Sequence, residues 1–208
     1  MTRRLLIVGL LGGIALAALN FANLVGAGYG RYASARLDRP ESPATAAAAR
    51  IAARWSPWSS PHAALHGWVL TEGRDASAVE DAYLKALRLA PGDPLLWSEY
   101  ALALARLNRF DAAMTVAVRK AQQLAPSSSA VRRTLADMGL SYWSRGTPEQ
   151  RALWLVDMRR ELKHNRDAFL AHVLARGRGR TFCRNPAVEL GEQDWCSAVA
   201  TTLLASPR

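Results

Sequence analysis

Apolar residues occur in two patterns along this chain. The first is an uncharged stretch from Leu5 to Gly30, of which residues 5–28 would form a helix about 36 Å long at ~1.5 Å per residue. Because a bilayer core of ~30 Å needs about 20 residues, this stretch predicts one membrane-spanning helix. The second pattern, beyond residue 43, consists of shorter stretches with helical periodicity, separated by Pro, Gly, Ser and Asp residues. It predicts helices joined by turns.

The turn signals divide this second part into individual helices. The predicted helices cover residues 44–55, 62–71, 76–89, 95–107, 111–124, 130–144 and 148–164. Alanine and leucine dominate, runs of β-branched residues are scarce and no strand-like alternation of any length occurs, so we predict an all-α fold. The predicted organisation is a membrane segment (1–30), a linker (31–43), a helical domain (44–176) and a C-terminal loop with a capping helix (177–208).

Basic residues orient the predicted span. Arg3 and Arg4 adjoin it directly, whereas the basic residues on its far side follow a glycine-rich exit. The positive-inside rule therefore places the N-terminus in the cytoplasm and the domain outside it, which in a Gram-negative bacterium is the periplasm. The alternative is a cleaved signal peptide, with Ala15 and Ala17 at an A-x-A-like site. The apolar stretch continues past that site, which favours an uncleaved inner-membrane anchor, and both interpretations export the rest of the chain.

Two further features of the apolar residues concern the membrane. Gly9 and Gly13 have the small-xxx-small spacing that lets two membrane helices approach closely, which makes a transmembrane-helix partner one interpretation. A helix that faces only lipid is the favoured one, because such spacings are common by chance in spans rich in Gly and Ala. Trp55 and Trp58, in a Pro/Ser break between helices, either pack at helix joints or lie at the membrane interface.

A repeated motif ends two of the predicted helices. The tripeptide Leu-Ala-Pro occurs at 89–91 and at 124–126, which is a separation of 126 − 91 = 35 residues. Here the chain resembles the tetratricopeptide repeat family, whose unit of about 34 residues carries W, L-G, Y, A, F, A and P at fixed positions. The matching residues are Gly67, Tyr83, Ala86 and Pro91 in a first unit, Trp97, Phe110, Ala113 and Pro126 in a second, and Leu135 and Ala136 in a third. The resemblance covers residues 61–164 and implies a short α-solenoid of helical hairpins.

Proteins of this family generally bind peptides or protein surfaces in a groove lined by the first helix of each pair. The groove positions that the resemblance implies are Trp68, Thr71, Glu72, Ser98, Leu102, Arg106, Arg133, Asp137 and Ser141. The alternative for each residue taken singly is an ordinary solvated surface position. Arg106 and Arg133, on neighbouring first helices, are expected to present a basic clamp to an acidic peptide.

The resemblance also implies a class of function. Similar anchored repeat proteins serve as scaffolds or adaptors for protein–protein interaction in cell-envelope assemblies, such as secretion, cytochrome maturation or polysaccharide export. The alternative is an accessory subunit of a membrane enzyme, for example a glycosyltransferase or a polymerase. In both cases the chain itself is expected to be no enzyme.

The chain is strongly basic, with 27 Lys+Arg against 17 Asp+Glu and a net charge of +10. Such a charge ordinarily suggests nucleic acid, but an exported domain does not meet it, so no nucleic-acid partner is predicted. Anionic lipid, acidic glycan or an acidic protein face are the expected counter-charges, unless the arginines only keep helix faces soluble. A binder of anionic lipid or glycan would use the C-terminal arginines Arg176, Arg178, Arg180 and Arg184.

The sequence lacks the common motifs of enzyme chemistry. Phosphate-binding glycine loops, G-x-S-x-G and H-E-x-x-H do not occur. His62 and His66 have the i, i+4 spacing of a metal-binding pair, but no third ligand stands close in sequence, so we predict neither a metal site nor a cofactor. Cys183 and Cys196 are the only cysteines, and in an exported domain they are expected to form a disulfide worth ~3 kcal/mol.

Overall fold

The computed structural model describes residues 2–184 and 196–197, with side chains from residue 10 onward, and these residues form helices and turns without a strand. The helices are α1 (Thr2–Ser34), α2 (Pro43–Trp55), α3 (Ser60–Gly73), α4 (Ala76–Leu89), α5 (Pro94–Arg106), α6 (Ala112–Leu124), α7 (Ser129–Tyr142), α8 (Pro148–Ala175) and α9 (Gly179–Cys183). Helix α1 is long and apolar enough to cross a membrane, with a mean hydropathy of 1.7 over its best window. The prediction of an all-α chain with one apolar N-terminal helix is therefore confirmed.

Polar residues and prolines determine where the helices begin. From α3 to α8, the side chain of the residue before the helix accepts a hydrogen bond from a backbone amide of the first turn. These capping residues are Ser59, Asp75, Asp93, Asp111, Ser128 and Thr147. Each satisfies an amide that has no partner within the helix, which typically contributes ~1 kcal/mol. The turn signals of the sequence thus coincide with real helix starts.

Helices α2, α4 and α6 end in the same way. The next residues, Ser56, Ala90 and Ala125, have φ/ψ of −122°/68°, −140°/68° and −145°/69°, and each donates its amide to the carbonyl four residues earlier. A proline follows each of them, at positions 57, 91 and 126, so the separations are 91 − 57 = 34 and 126 − 91 = 35 residues. Proline disfavours the helical conformation of the residue before it and has no amide to donate. The first of these similar helix ends therefore lies before residue 61, where the predicted resemblance begins.

Buried small residues recur at the same period. Ala33, Gly67 and Ala101 are buried in α1, α3 and α5, at separations of 67 − 33 = 34 and 101 − 67 = 34 residues. A second set of small residues in α2, α4 and α6 has no exposed surface and consists of Ala52, Ala86 and Ala121. A Cβ at Gly67 would stand 2.8 Å from the Cδ2 atom of Tyr83, so the missing side chain lets α3 and α4 approach closely. The pairs α1/α2, α3/α4, α5/α6 and α7/α8 each pack together as hairpins.

The chain divides into two compact units, Met1–Gly92 and Asp93–Arg208. In the first unit, the last turns of α1 pack against α2 and α3, where Ala33 is buried in a cluster with Ala48, Ala49 and Val69. Because α1 is unbroken to Ser34 and α2 begins at Pro43, residues 31–34 of the predicted linker are helical, and residues 35–42 connect the two helices. The domain thus begins within the same helix as the apolar segment.

The second unit contains α5 to α9, and α8 is its longest helix. Trp154 and Met158 of α8 lie against Gly139 of α7, where a Cβ would stand 2.4 Å from the Cε atom of Met158. The sequence predicted that this helix ends at residue 164. It continues to Ala175, but Asn165 has a non-helical φ/ψ of −141°/41°, so the helix is broken at the predicted end.

The C-terminal cysteines are paired. The sulfur atoms of Cys183 and Cys196 are 2.01 Å apart, as predicted for a disulfide. Cys183 is the last residue of α9, so residues 179–183 form a short helix where the sequence predicted a loop from residue 181. The predicted final helix from residue 194 lies outside the described residues except at 196–197, which are helical.

Candidate functional site

The three predicted groove residues of α3 have different surroundings. Thr71 is 4% exposed, and its hydroxyl donates to the Gly67 carbonyl of the same helix at 3.0 Å. Trp68 is half-buried against the small-residue cluster around Ala33. Glu72 is exposed. Of the three side chains, that of Glu72 is the most exposed and that of Thr71 is almost fully covered.

The predicted groove residues of α5 and α7 include a second buried hydroxyl. Ser98 is 1% exposed and donates to the Leu95 carbonyl at 2.7 Å, while Leu102 and Ser141 are half-buried. Such back-bonding to the preceding turn satisfies a serine or threonine within its own helix. Ser98 and Thr71 are therefore corrected from groove-lining residues to buried residues that bond their own helices.

Arg106 and Arg133 are both exposed, but they lie at different levels of their helices. The Nη1 atom of Arg145 donates to the Oδ1 atom of Asn108 at 3.2 Å, so the C-terminal ends of α5 and α7 meet. Arg106 is the last residue of α5, whereas Arg133 precedes the end of α7 at Tyr142 by 142 − 133 = 9 residues. At ~1.5 Å per residue this is about 14 Å along the axis. Arg106 and Arg133 therefore do not form the adjacent pair that was expected to clamp an acidic peptide.

Asp137 already has partners within the chain. Its Oδ1 atom lies 2.8 Å from the Nε2 atom of His172, and its Oδ2 atom 3.3 Å from the Nη2 atom of Arg176. Both partners come from the part of α8 beyond the break at Asn165, which therefore covers α7 at Asp137. One of the four C-terminal arginines is thus held in an ion pair. The other three, all exposed, are Arg178, Arg180 and Arg184.

A concave surface that the sequence analysis did not predict lies between α2 and α3. This α2–α3 groove has a volume of about 450 Å³. Its floor consists of Ala46, Ala47, Val69 and Leu70. Polar side chains stand around it, namely Glu41, Arg50, His66 and Glu72. The signal in the sequence was the run of alanines at 46–49, because small side chains leave space beside a neighbouring helix.

The α2–α3 groove combines charges of both signs with an apolar floor. Glu41, Arg50 and Glu72 are exposed at the rim of the groove. Burial lowers the pKa of His66, and the positive charges of Arg50 and Lys85 lower it further, so this imidazole is neutral at neutral pH. The arrangement can hold an apolar side chain while forming ion pairs and hydrogen bonds around it.

The two histidines of α3 face different neighbours. His66 lines the α2–α3 groove, whereas the Nε2 atom of His62 lies where it would be 2.5 Å from a Cβ at Gly30 of α1. Burial lowers the pKa of His62 as well. Within residues 2–184 and 196–197, no group of three or more His, Cys, Asp or Glu side chains is placed to hold a metal ion.

Helix α8 carries a row of buried polar side chains towards α6 and α7. This α8 polar seam consists of Gln150, Asp157 and Glu161. The Nε2 atom of Gln150 donates to the Thr115 hydroxyl at 3.0 Å. Asp157 accepts a hydrogen bond from the Nε2 atom of Gln122 at 2.6 Å. Glu161 forms a buried ion pair with Arg132 of α7.

The α8 polar seam is closed to solvent. Asp157 is 2% exposed and Glu161 is 1% exposed. Burial raises the pKa of Asp157 to about 6, against the hydrogen bond from Gln122 and the positive charges of Arg160 and Arg132, which lower it. We interpret the seam as a network that fixes how α6, α7 and α8 pack, because a substrate cannot reach it. The sequence analysis missed it, although spacings of seven and four residues place these side chains on one helix face.

Compared with family models, curated proteins and solved structures, the chain matches none of them. The functional interpretation therefore depends on the geometry of this chain and on its own internal repeat.

Proposed function

We propose that this chain is a single-pass membrane adaptor. Helix α1 anchors it in the inner membrane, and the exported helices hold a segment of a partner protein in the α2–α3 groove. The partner belongs to a cell-envelope assembly of the kind that carries out secretion, cytochrome maturation or polysaccharide export. In this role the chain catalyses nothing and needs no cofactor, because its task is to keep a partner at the membrane surface.

The α2–α3 groove is the observation that carries the proposal. Its volume of about 450 Å³ lies within the range of ~300–1,000 Å³ that is typical of ligand pockets. Glu41, just before α2, and Arg50 on α2 are both exposed, so charges of both signs border the apolar floor. A short segment with one apolar side chain between an acidic and a basic residue would satisfy the floor and both charges.

The internal repeat supports a tetratricopeptide-like α-solenoid as the architecture. Three helix ends recur at separations of 34 and 35 residues, with the same backbone conformation before each proline. The buried small residues that recur with them are typical of repeats whose helices pack closely within and between units. Gly67 and Tyr83, two residues that carry the resemblance, are in direct contact.

Export of the domain is supported by both ends of the chain. Arg3 and Arg4 lie in the first turn of α1, just before its apolar segment, which favours a cytoplasmic N-terminus. The pairing of Cys183 with Cys196 is typical of compartments that permit disulfides, outside the reducing cytoplasm.

One observation favours a second candidate function. Arg178, Arg180 and Arg184 are exposed near the C-terminus and would attract anionic lipid or acidic glycan.

An adaptor that serves as an accessory subunit of a membrane enzyme would still use the α2–α3 groove, so it differs from the first proposal in its partner and not in its site.

Site-specific photo-crosslinking in living cells tests the groove. A photoreactive phenylalanine analogue at Ala46 or Leu70, both partly exposed in the groove, should give one discrete protein adduct. The same analogue at Gln123, exposed on α6, serves as the control and should give none. A groove that binds no protein would leave Ala46 and Leu70 as unreactive as Gln123.

A matched pair of charge reversals tests how the groove binds. Arg50→Glu should reduce the Leu70 adduct roughly tenfold or more, since loss of a charged contact typically costs ~2 kcal/mol. Lys120→Glu makes the same change on the exposed face of α6 and should leave the adduct unchanged. If both variants crosslink like the wild type, the rim charges do not select the partner, and Arg133→Glu then tests the α7 surface.

A further inference from the structure

Helix α1 continues from its apolar segment into the domain without a break or turn. It is continuous from Thr2 to Ser34, and its residues from Gly26 onward pack against α2 and α3. A Cβ at Gly26 would stand 2.0 Å from the Oγ atom of Ser56, and Ala33 is fully buried. A helix that is packed in this way cannot act as a flexible tether, so the bilayer fixes the orientation of the first unit.

The length of the span sets where the domain begins relative to the bilayer. About 20 residues cross the ~30 Å apolar core, so a span that starts at Leu5 leaves the core near Leu24. Gly26 follows two residues later, which corresponds to about 3 Å along the helix. The end of α2, which packs at Gly26 through Ser56, is therefore at the level of the lipid headgroups.

The turn between α2 and α3 carries aromatic side chains at this level. The ring of Trp55 lies 6.2 Å from the ring of Phe21, a residue of the span, in an edge-to-face arrangement. Trp55 is 42% exposed and Trp58 is 67% exposed, and Arg54 beside them is also exposed. Tryptophan is enriched at membrane interfaces because its ring is apolar and its N–H is polar, and a neighbouring arginine can meet lipid phosphates.

We propose that the turn containing Trp55 and Trp58 inserts into the headgroup region of the bilayer on the exported side and seats the first unit directly on the membrane. This docking rests on the membrane span of the proposed function. It has a consequence for the α2–α3 groove, whose residue Ala46 precedes Trp55 by 55 − 46 = 9 residues on α2. At ~1.5 Å per residue the groove is held about 14 Å above the inserted turn. A partner would therefore be bound at a fixed height over the lipid surface.

Fluorescence quenching by brominated lipids tests the docking. The full chain is reconstituted into phosphatidylcholine vesicles with bromine on the acyl carbons nearest the headgroup, and its tryptophan emission is compared with that in unbrominated vesicles. The wild type should be quenched, and Trp58→Phe should lose a measurable part of that quenching. Since Trp58 is largely exposed, this change cannot disturb the packing of the domain. The double variant Trp55→Phe/Trp58→Phe should lose most of the quenching by brominated lipid.

The controls separate this inference from the proposed function. Trp143→Phe, in the second unit, should be quenched like the wild type, because Trp143 is not on the α2–α3 turn. Flotation of the vesicles shows whether the chain is inserted at all, and a chain that stays at the bottom of the gradient refutes the span. A chain that floats, but whose quenching is the same with and without Trp55 and Trp58, refutes the docking and leaves the span standing.

Discussion

Replacing Asp157 by asparagine should stabilise the chain at neutral pH, because the carboxylate is buried. Asp157 is 2% exposed, and burial raises its pKa from the ordinary 3.8 to about 6. A folded-state pKa above the unfolded value means that the folded chain binds the proton more tightly. The resulting stabilisation is fully present below about pH 4 and is lost as the pH rises through about 6.

The size of the effect follows from the two pKa values. A rise from 3.8 to about 6 corresponds to roughly 3 kcal/mol, at ~1.36 kcal/mol per pKa unit. Asparagine cannot ionise, yet its amide oxygen can still accept the hydrogen bond that Gln122 donates to Asp157 at 2.6 Å. We therefore expect Asp157→Asn to raise the free energy of unfolding at pH 7.5 by ~1–3 kcal/mol, or the Tm by ~2–4 °C for each kcal/mol.

Unfolding of the full chain in detergent, followed from pH 4 to 8, tests this expectation. The wild type and Asp157→Asn should have similar stability near pH 4, should diverge as the pH rises from about 4 to about 6, and should keep a constant difference above that. Asp167→Asn is the control, because it removes a carboxylate whose side chain is 96% exposed, and its stability should follow the wild type at every pH. A difference between wild type and Asp157→Asn that does not vary with pH would refute the reasoning, as would an Asp157→Asn variant that is less stable at pH 7.5.

Other predictions concern packing, topology and the disulfide. In α3, Gly67→Ala should lower stability by ~1–2 kcal/mol, because its Cβ would stand 2.8 Å from Tyr83, whereas Gly73→Ala has open space and should be neutral or slightly stabilising. Thermal melts compare the two, and equal melting would contradict the close approach. An alkaline phosphatase fused to the C-terminus should be active and the chain should resist carbonate extraction, as the proposed span and its orientation require. An inactive fusion contradicts the orientation, and release by carbonate indicates cleavage. Mass spectrometry of a non-reduced digest should recover peptides joined through Cys183 and Cys196. Modification of both thiols without reductant would contradict that pairing.

The positions of the helices could be predicted because their ends are local. The predicted helix over 76–89 coincides with α4, Ala76–Leu89, since Asp75 caps its start and Pro91 follows its end. Hydrogen bonds between a side chain and an amide within the same turn depend on neighbouring residues alone. Asn165, next to the predicted end of its helix, interrupts α8 even though helical residues continue beyond it.

Which face of each helix is buried could not be predicted to the same extent, because this depends on contacts between residues that are distant along the chain. Thr71 and Ser98 lie on the predicted helices but point inward, and Asp137 is held by His172 and Arg176, which are 35 and 39 residues away along the chain. Side chains three or four residues apart share a face, but which face is covered depends on how the helices cross. The α8 polar seam was missed for a related reason, since Asp157 acquires its raised pKa only when α6 and α7 enclose it.

The packing of α1 against α2 and α3 was not predicted, because lipid and protein impose similar compositions on such a helix. In an exported repeat, the face that packs is apolar and the opposite face is polar, so the pattern is visible in the sequence. A helix that leaves a bilayer is apolar all around, and its packing face is marked only by small residues. Gly26 and Gly30 are four residues apart and Ala33 follows, and all three are buried against α2 and α3. The small-xxx-small spacing of Gly9 and Gly13, for which a helix facing only lipid was the favoured interpretation, thus recurs where α1 meets its own domain. On the proposed function, the membrane anchor is also the first helix of the proposed repeat.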